Sequence, residues 1–473
     1  MGSEFRETPY GAFAADFVVD QLANLCDSVA GIQTGPFGSQ LHQKDYVPKG
    51  TPIITVEHLG ENRILHSELP MVSDADRDRL SRYLLREGDI VFSRVGSVDR
   101  RALVRGEENG WMFSGRCLRV RPDPAKIDSS YLSYFFGLPA FRDHIRAIAV
   151  GATMPSLNTS LLSSVIVPHP PDIDEQRAIA HILGTLDDKI ELNRRRNQTL
   201  EAMVRALFKD WFVDIGPVRA KMEGRKPYLP ADLWQLFPER LDEAGKPEGW
   251  EFLSFGRLIE GTIGGDWGKE QPEDGHDQAI CIIRGTDIPD LASGSTGKVP
   301  TRFTTKKKLI SRMLQDGDIV VEVSGGSSTQ PTGRSLRVSN SMLDRFPHPV
   351  VCASFCRRFR PKSASLGILA ACHMTNLYRE GGTWEYQNQS TGISNFQTAH
   401  FLEAESVLVP GEDVLNAFVA FVEPIMGKVA NNENIDLAKV RDTLLPKLIS
   451  GELRIRDAEK LLKRADMNVK EVV

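Results

Sequence analysis

The chain has 473 residues, of which 41% are hydrophobic and 26% are charged, an ordinary composition for a globular protein. At about 100–200 residues per domain, this length predicts two to four domains. The sequence has no apolar run of about 18 residues, which excludes an ordinary transmembrane helix. A net charge of −5 excludes a surface that is basic throughout, so binding to nucleic acid would need local positive patches.

The first residues and the cysteines indicate where the protein works. Residues 1–5 lack the basic and apolar regions of a secretory signal, and six cysteines are spread sparsely along the chain. We therefore expect reduced thiols and a cytoplasmic location. Cys352 and Cys356 lie near His348 and His373 in sequence, but this spacing fits no standard zinc pattern, so we predict no metal site.

Strand signals dominate two long stretches of the chain. Short apolar runs bounded by turn residues predict strands at residues 51–56 and 279–283. The tetrapeptide Gly-Asp-Ile-Val occurs at residues 88–91 and 317–320 and runs into a glycine loop each time. With a helix predicted at residues 131–149, these patterns are typical of α+β domains on a curved, mostly antiparallel sheet.

The order of these features predicts an internal duplication. The two Gly-Asp-Ile-Val sequences are 229 residues apart, and the similar sequences at residues 165–168 and 407–410 are 242 residues apart. Helical segments starting at Leu200 and Leu437 repeat at a separation of 237 residues. Each similarity is weak alone, but three in the same order at similar separations are much stronger.

The clearest structural signal is a helix predicted over residues 175–212, about 57 Å long at 1.5 Å per residue. Its seam positions are spaced alternately by four and three residues, which is a heptad pattern. The seam consists of Ile179, Leu183, Leu186, Ile190, Asn193, Asn197, Leu200, Val204, Leu207 and Trp211. Its expected partner is a second helix in the same chain, with Leu437, Val440, Leu444 and Leu448. Pro424 and Pro446 are expected to interrupt or end that second helix.

Asn193 and Asn197 take seam positions where apolar residues are usual. Buried asparagines would fix the register of a helix pair at a cost in stability. Alternatively, the two residues mark a polar, frayed middle of the helix. The sequence leaves both interpretations open.

Three segments closely resemble the conserved regions of type I restriction-modification specificity subunits. Residues 207–222 resemble that family's central conserved region, residues 170–180 its Glu-Gln helix start, and residues 444–453 its C-terminal signature. The segments before each helix, residues 151–158 and 390–396, are similar to parts of its target-recognition domains. The second helix departs from the pattern because it lacks a Glu-Gln start.

The resemblance implies an α+β fold in which two strand-rich target-recognition domains are separated by a long antiparallel two-helix coiled coil, as a pseudo-twofold internal repeat. The implied divisions are residues 1–15, an N-terminal extension such as a tag; 16–171, the first target-recognition domain; 172–246, the central helix and linker; 247–410, the second target-recognition domain; and 411–473, the C-terminal helix and tail.

The resemblance also implies a function in phage defence. A specificity subunit is non-catalytic, reads a bipartite site in double-stranded DNA and docks two methyltransferase subunits, which motor-nuclease subunits join. The chain itself would bind no cofactor, whereas S-adenosylmethionine is expected on the methyltransferase subunits.

Polar loop residues are the candidates for DNA contact, since arginine pairs with guanine and asparagine or glutamine with adenine. Glycines would let the backbone approach phosphate. The candidates are Thr34, Gly35, Phe37, Ser39, Arg94, Ser97, Thr153 and Asn158 in the first domain, and Ser324, Ser327, Ser328, Gln330, Thr332, Arg334, Asn388, Gln389, Thr391 and Asn395 in the second.

Three basic stretches favour DNA binding because of their places in the repeat, although such stretches are more often solvated surface. They are the eleven arginines from Arg77 to Arg121, a group of Arg302, Lys306, Lys307, Lys308 and Arg312, and a group of Arg357, Arg358, Arg360 and Lys362.

Two other functions compete with this interpretation. A single-chain methyltransferase would need a glycine-rich cofactor loop between a strand and a helix and an Asn-Pro-Pro-Tyr type tetrapeptide, and we find neither. A coiled-coil scaffold without a DNA role would share the helix pattern, and a salt-dependent mobility shift would separate it from a DNA reader.

Overall fold

The computed structural model describes residues 5–36, 38–151, 153–327, 329–390, 393–430 and 433–464. The chain forms two compact units, Met1–Lys189 with Leu437–Val473, and Ile190–Asp436. Each unit is a mixture of strands and helices. The predicted helical divisions, residues 172–246 and 411–473, do not form compact units of their own, because their residues are divided between these two units.

The first unit contains short strands and several helices. Its strands are Phe5–Thr8, Gly11–Ala14, Val18–Gln21, Ile32–Thr34, Tyr46–Val47, Thr51–Ile54, Met71–Val72, Ile90–Ser93, Arg101–Leu103, Met112–Phe113, Cys117–Val120 and Ile166–His169. Its α-helices are Asp74–Arg79, Ser129–Phe135, Pro139–Ile148, Thr159–Ser163, the first half of Ile173–Phe208, most of Asn434–Ile449, and Ile455–Arg464.

The main sheet of the first unit is antiparallel, with the order Ile32–Thr34, Cys117–Val120, Ile90–Ser93, Arg101–Leu103. Ile90–Ser93 belongs to the first Gly-Asp-Ile-Val sequence, and all four of its residues are buried. Burial on both faces explains why this strand is a continuous apolar run rather than an alternating one. Gly88 begins the turn with φ +88°, a left-handed conformation that glycine adopts without steric cost.

Residues 5–14 are part of this unit, so the prediction of an extension such as a tag over residues 1–15 is wrong for them. Phe5–Thr8 and Gly11–Ala14 form an antiparallel hairpin. The Tyr10 hydroxyl donates a hydrogen bond to the Ile166 carbonyl oxygen at 2.9 Å, and its ring packs edge-on against Phe135 at 5.3 Å. A buried aromatic ring with a satisfied hydroxyl group ties the hairpin to the domain.

The second unit has a similar inventory. Its strands are Glu251–Ser254, Ile259–Gly264, Gln278–Ile283, Thr301–Thr304, Ile319–Glu322, Ser324–Gly325, Ser335–Arg337, Val350–Cys352, Cys356–Pro361, Gln387–Ser390, Ile393–Phe396 and Ser406–Val409. Its α-helices are the second half of Ile173–Phe208, Gly216–Met222, Ala231–Leu236, Ile288–Ala292, Lys306–Arg312, Asn340–Leu343, Ala364–Arg379, Thr398–Ala404 and Glu412–Ala430.

The main sheet of the second unit has the same antiparallel order as that of the first unit. Its order is Ile259–Gly264, Cys356–Pro361, Ile319–Glu322, Ser335–Arg337. Each unit also has one parallel strand pair, Thr51–Ile54 with Met112–Phe113 in the first and Gln278–Ile283 with Val350–Cys352 in the second. In both units the Gly-Asp-Ile-Val strand is therefore an inner strand of an antiparallel sheet.

The long helix runs from Ile173 to Phe208 and continues as a π-helical turn over Lys209–Val213. Most seam positions are buried: Ile179, Leu183 and Leu186 in the first unit, and Ile190, Asn193, Asn197, Val204 and Trp211 in the second. Leu200 and Leu207 are half-buried. On the C-terminal helix Leu437, Leu444 and Leu448 are buried and Val440 is half-buried.

Each unit contains its own antiparallel helix contacts. In the first unit Asp187 forms an ion pair with Arg441 at 2.7 Å. In the second, the Asn193 amide donates to the Asn434 side-chain oxygen at 2.9 Å, while Phe208 packs on Phe418 at 6.3 Å. Since Asn193 is only 4% exposed, the interpretation of a frayed, polar helix middle is wrong for this residue.

Two helix predictions need correction. The helix predicted over residues 131–149 is two helices, Ser129–Phe135 and Pro139–Ile148, because Pro139 starts a new helix at its first position. Pro424 and Pro446, expected to break the second helix, lie inside Glu412–Ala430 and Asn434–Ile449. Among the described residues, no helix is both long and apolar enough to cross a membrane.

Candidate nucleic-acid interface

In the first unit, loops meet at one end of the main sheet and form what we call the first rim, residues 94–97, 114–116, 150–151 and 153–157. The Arg94 N–H donates to the Arg116 carbonyl oxygen at 2.8 Å, and the Leu157 N–H donates to the Arg94 carbonyl oxygen at 2.8 Å. Ser156 pairs with both Val95 and Val150. These backbone contacts bring three distant segments together.

Several predicted residues of the first unit lie at or beside this rim. Thr34 and Arg94 are half-buried, and Ser97, Thr153 and Asn158 are exposed. Part of the Asn158 side chain has a structural task, because its oxygen accepts the Leu161 N–H at 2.8 Å and caps the helix Thr159–Ser163. Phe37 and the side chain of Ser39 lie outside the described residues.

Gly35 has a packing role that was not predicted. It is buried, and a Cβ at this position would lie 2.2 Å from the Ser114 carbonyl oxygen. Gly265 in the second unit is packed as closely, since a Cβ at that position would lie 2.1 Å from the Ala353 carbonyl oxygen. The glycine is needed for close approach of two protein backbones, so the expectation that Gly35 opens the backbone to phosphate is not supported.

The second unit has a corresponding set of loops, which we call the second rim, residues 323–327, 353–355, 387–390 and 393–396. The Val323 N–H donates to the Phe355 carbonyl oxygen at 2.9 Å, and the Phe396 N–H donates to the Val323 carbonyl oxygen at 2.8 Å. These contacts match the two backbone bonds of Arg94 in the first rim.

Three predicted residues form one row across the small sheet of the second rim. Ser324 is paired with Asn395, which is paired with Asn388 on the third strand. The Ser324 hydroxyl donates to the Asn395 side-chain oxygen at 2.5 Å, and Asn388 is exposed. Because directly paired residues lie on the same face of a sheet, the row presents a hydroxyl and two amides together.

Thr332 is a wrong prediction for direct contact, since it is fully buried and both its N–H and its hydroxyl donate to the Gln387 side-chain oxygen, at 2.9 and 3.1 Å. Arg334 is half-buried, with its guanidinium 5.9 Å from the centre of the Tyr378 ring. Ser327 and Gln330 are exposed. Three other candidates, Ser328, Thr391 and the side chain of Gln389, lie outside the described residues.

The two rims share a backbone frame but display different side chains. Arg116 and Phe355 occupy equivalent positions in two corresponding turns. In the first unit the Cys117 N–H donates to the Ser114 carbonyl oxygen at 2.9 Å, and in the second the Cys356 N–H donates to the Ala353 carbonyl oxygen at 2.8 Å. Both Arg116 and Phe355 are exposed. Likewise, Val150 and Ser156 of the first rim take the places of Asn388 and Asn395 in the second.

The sequence predictions missed Arg116, Val150, Ser156 and Phe355 as rim residues. A local signal was present, because Cys-x-Arg-x-Arg occurs at residues 117–121 and again at 356–360. Aligning the two copies on this motif rather than on Gly-Asp-Ile-Val would have placed Arg116 opposite Phe355.

The arginine-rich stretch of the first unit is not a continuous basic surface, which corrects the support drawn from it. Arg101, Arg119 and Arg121 are buried. Arg119 donates to the backbone oxygen of Ala30 at 2.7 Å, and Arg101 pairs with Glu61 at 2.7 Å. Burial lowers the pKa of Arg119 to about 10. Much of this stretch therefore supports the fold.

A basic surface does occur in the second unit, beside the second rim. The helix Lys306–Arg312 carries two exposed lysines, Lys306 and Lys307. The Arg312 guanidinium donates to the Gly264 carbonyl oxygen at 3.1 Å, and Arg302 lies 4.9 Å above the ring of Trp267. Positive charge with an interleaved aromatic ring is the pattern that nucleic acids favour.

Comparisons with known proteins show what this chain is similar to. Residues 22–202 match the family model of the type I restriction modification DNA specificity domain. The chain is 23% identical to the type I restriction enzyme MjaIX specificity subunit of Methanocaldococcus jannaschii, over 96% of this chain and 98% of that protein. It is 24% identical to the HindI specificity subunit of Haemophilus influenzae, over 83% of this chain and 92% of that protein.

A crystal structure of a type I restriction-modification S subunit from M. genitalium has a similar fold, with a TM-score of 0.53 and 15% identity over 91% of this chain and 96% of that one. This chain is therefore similar to the type I DNA specificity domain over residues 22–202. It resembles type I specificity subunits over nearly its whole length, which confirms the resemblance found in the sequence.

Proposed function

We propose that this chain is the DNA-specificity subunit of a type I restriction-modification complex and that each unit reads one half of a bipartite target. The similarity to specificity subunits along the chain supports this function. The observation that carries the proposal is the pair of rims: one backbone frame, repeated in both units, presents Arg116 in one place and Phe355 in the other. Different base sequences are read by different side chains on a common frame.

We further propose that the two units are a pseudo-twofold repeat and that the helical segments form an antiparallel two-helix coiled coil. The buried seam and the helix contacts within each unit support this arrangement. Two methyltransferase subunits and motor-nuclease subunits would dock on the complex. The chain would itself be non-catalytic, with S-adenosylmethionine bound by the methyltransferase subunits and the whole complex in the cytoplasm.

Mapping of methylated adenines tests the proposal. The full chain is expressed with its methyltransferase partner in a host that lacks other methylation, and the genome is sequenced for modified adenines. We expect one motif with two specific halves and an unread spacer. Absence of methylation, an undivided motif, or methyl transfer by this chain alone would contradict the proposed function.

Rim variants make the test specific to each unit. Arg116→Ala should relax or abolish recognition at one half of the motif, whereas Asn388→Ala should affect only the other half. The matched control is Asp174→Ala, whose side chain is 84% exposed on the long helix and belongs to neither rim. A motif that changes in the same half for both rim variants would contradict the assignment of one half to each unit.

A further inference from the structure

The turn at residues 353–355 exposes an aromatic ring where the first unit has a guanidinium. Phe355 is 61% exposed, although phenylalanine is usually buried. Its carbonyl oxygen accepts the N–H groups of Val323 at 2.9 Å and Ser324 at 3.2 Å. The backbone of Phe355 is therefore fixed beside the polar row that begins at Ser324.

The surroundings of Phe355 favour a nucleic acid over an apolar partner. Gly265 packs tightly on Ala353, which places the neighbouring turn and its half-exposed Trp267 beside the turn that carries Phe355. The basic helix Lys306–Arg312 borders this region through the bond from Arg312 to the Gly264 oxygen at 3.1 Å.

Carboxylates neutralise only part of this positive charge. Glu270 pairs with Arg302 at 2.7 Å, and Asp266 pairs with Lys308 at 2.9 Å. Lys306 and Lys307 remain exposed on the same helix. A polyanion such as the DNA backbone therefore suits this surface.

We propose, on the basis of the function proposed above, that Phe355 is a specificity-determining residue that packs on the methyl group of a thymine in the half-site read by the second unit. In the major groove an A·T pair presents adenine N6 and N7 next to the thymine methyl group. The Asn395 and Asn388 amides suit the adenine edge, and the adjacent Phe355 ring suits the methyl group. The half-site of the second unit therefore contains at least one A·T pair in contact with this row.

The test uses the complex of full chain and methyltransferase with a duplex of the target identified by methylation mapping. Each thymine of that duplex is replaced in turn by deoxyuridine, which lacks only the methyl group. At one position we expect the wild-type complex to lose affinity by about fourfold, the effect of burying one methyl group. The Phe355→Ala complex should bind the unmodified duplex more weakly and lose nothing further at that position.

Two further variants control the result. Phe355→Leu keeps an apolar side chain and should retain part of the sensitivity to the methyl group. Asp174→Ala, at an exposed position outside both rims, should respond to deoxyuridine at the same position as the wild type. Since Phe355 is exposed, these substitutions are not expected to disturb folding.

The proposal is overturned if no deoxyuridine substitution changes the affinity of the wild-type complex for the duplex. It is also overturned if Phe355→Ala loses as much affinity as the wild type when the thymine methyl group is removed. An unchanged affinity of Phe355→Ala for the unmodified duplex would also overturn it. These outcomes are distinct from failure of the proposed function, in which the wild-type complex produces no bipartite motif at all.

Discussion

The guanidinium of Arg121 holds the Asp89 carboxylate by two parallel hydrogen bonds of 2.7 Å each. The same carboxylate accepts the Arg86 N–H at 2.8 Å. Arg360 binds Asp318 in the same way in the second unit, at 2.8 and 2.7 Å. Both aspartates are buried, so the acidic residue of Gly-Asp-Ile-Val anchors the turn before the inner strand in each unit.

Asp89→Asn is expected to destabilise the first unit by about 3–5 kcal/mol, because it leaves the buried Arg121 without a counter-charge. Asp318→Asn should cost the second unit less, since the Arg360 side chain is 27% exposed and water can solvate it. Hydrogen exchange of the Ile90–Ser93 amides, measured along a urea series, reports the loss.

The matched control for these variants is Asp74→Asn. Asp74 pairs with Arg77 at 3.0 Å on the surface and its side chain is 76% exposed. Such an exposed pair contributes little to stability, because water and salt screen it. If Asp89→Asn and Asp74→Asn reduce the stability of the first unit by the same small amount, the buried pair does not anchor the turn.

Gln176 explains why the long helix starts with Glu-Gln. It is fully buried, accepts the Asp128 N–H at 2.8 Å and donates to the Pro170 carbonyl oxygen at 2.8 Å. Gln176→Leu keeps the size but leaves the buried Asp128 N–H without its acceptor, at about 1–3 kcal/mol, whereas the Pro170 oxygen keeps its contact with His169 Nδ1 at 2.9 Å. Faster hydrogen exchange over residues 173–189 should report the loss, whereas Glu175→Gln, at a partly exposed ion pair, should change it little. No change in Gln176→Leu would contradict this role.

The two seam asparagines are expected to respond with opposite signs. Asn193 donates to Asn434 and to Glu433, at 2.9 and 3.2 Å, so Asn193→Leu breaks these hydrogen bonds and should destabilise the second unit by about 1–3 kcal/mol.

Asn197 is 3% exposed, and within the described residues neither of its amide atoms has a hydrogen-bond partner. Asn197→Leu should therefore stabilise the unit by about 1–3 kcal/mol, because a buried amide without partners is costly. Chemical denaturation of both variants tests the signs, and a loss in Asn197→Leu would refute the second.

Glu405 predicts a dependence of stability on pH. Burial by itself would raise the Glu405 pKa, but hydrogen bonds from His373 at 2.6 Å and Tyr386 at 2.7 Å outweigh it and hold the pKa below its ordinary value of 4.5. A carboxyl whose folded pKa is lowered stabilises the fold above its unfolded pKa and loses that stability as pH falls through the folded pKa.

The free energy of unfolding of wild type should therefore exceed that of Glu405→Gln above about pH 5, and the difference should shrink in more acidic solution. Urea denaturation of the two proteins at several pH values measures this difference. Glu403→Gln, at an exposed position on the helix Thr398–Ala404 that immediately precedes Glu405, should show no such trend. A difference that does not depend on pH would contradict the assigned cause.

Local sequence was sufficient for the long helix and for the buried strands. The spacing of Leu183, Leu186 and Ile190 follows one helix face, and all three are buried. The rims could not be predicted in the same way, since Arg94 meets Leu157 and Val323 meets Phe396 through pairing of segments 63 and 73 residues apart. Those pairings depend on the sheet, which the local pattern does not specify.

The sequence by itself determined the alternation of strand-rich and helical segments, the turns at Gly88 and Gly317, and the resemblance to specificity subunits. Only the tertiary structure decided which polar residues stay accessible: it buries Arg119 and Thr332, and it exposes Phe355. The physical reason is that hydrophobic periodicity acts within one element, whereas burial of a loop residue depends on neighbours that are distant in the chain.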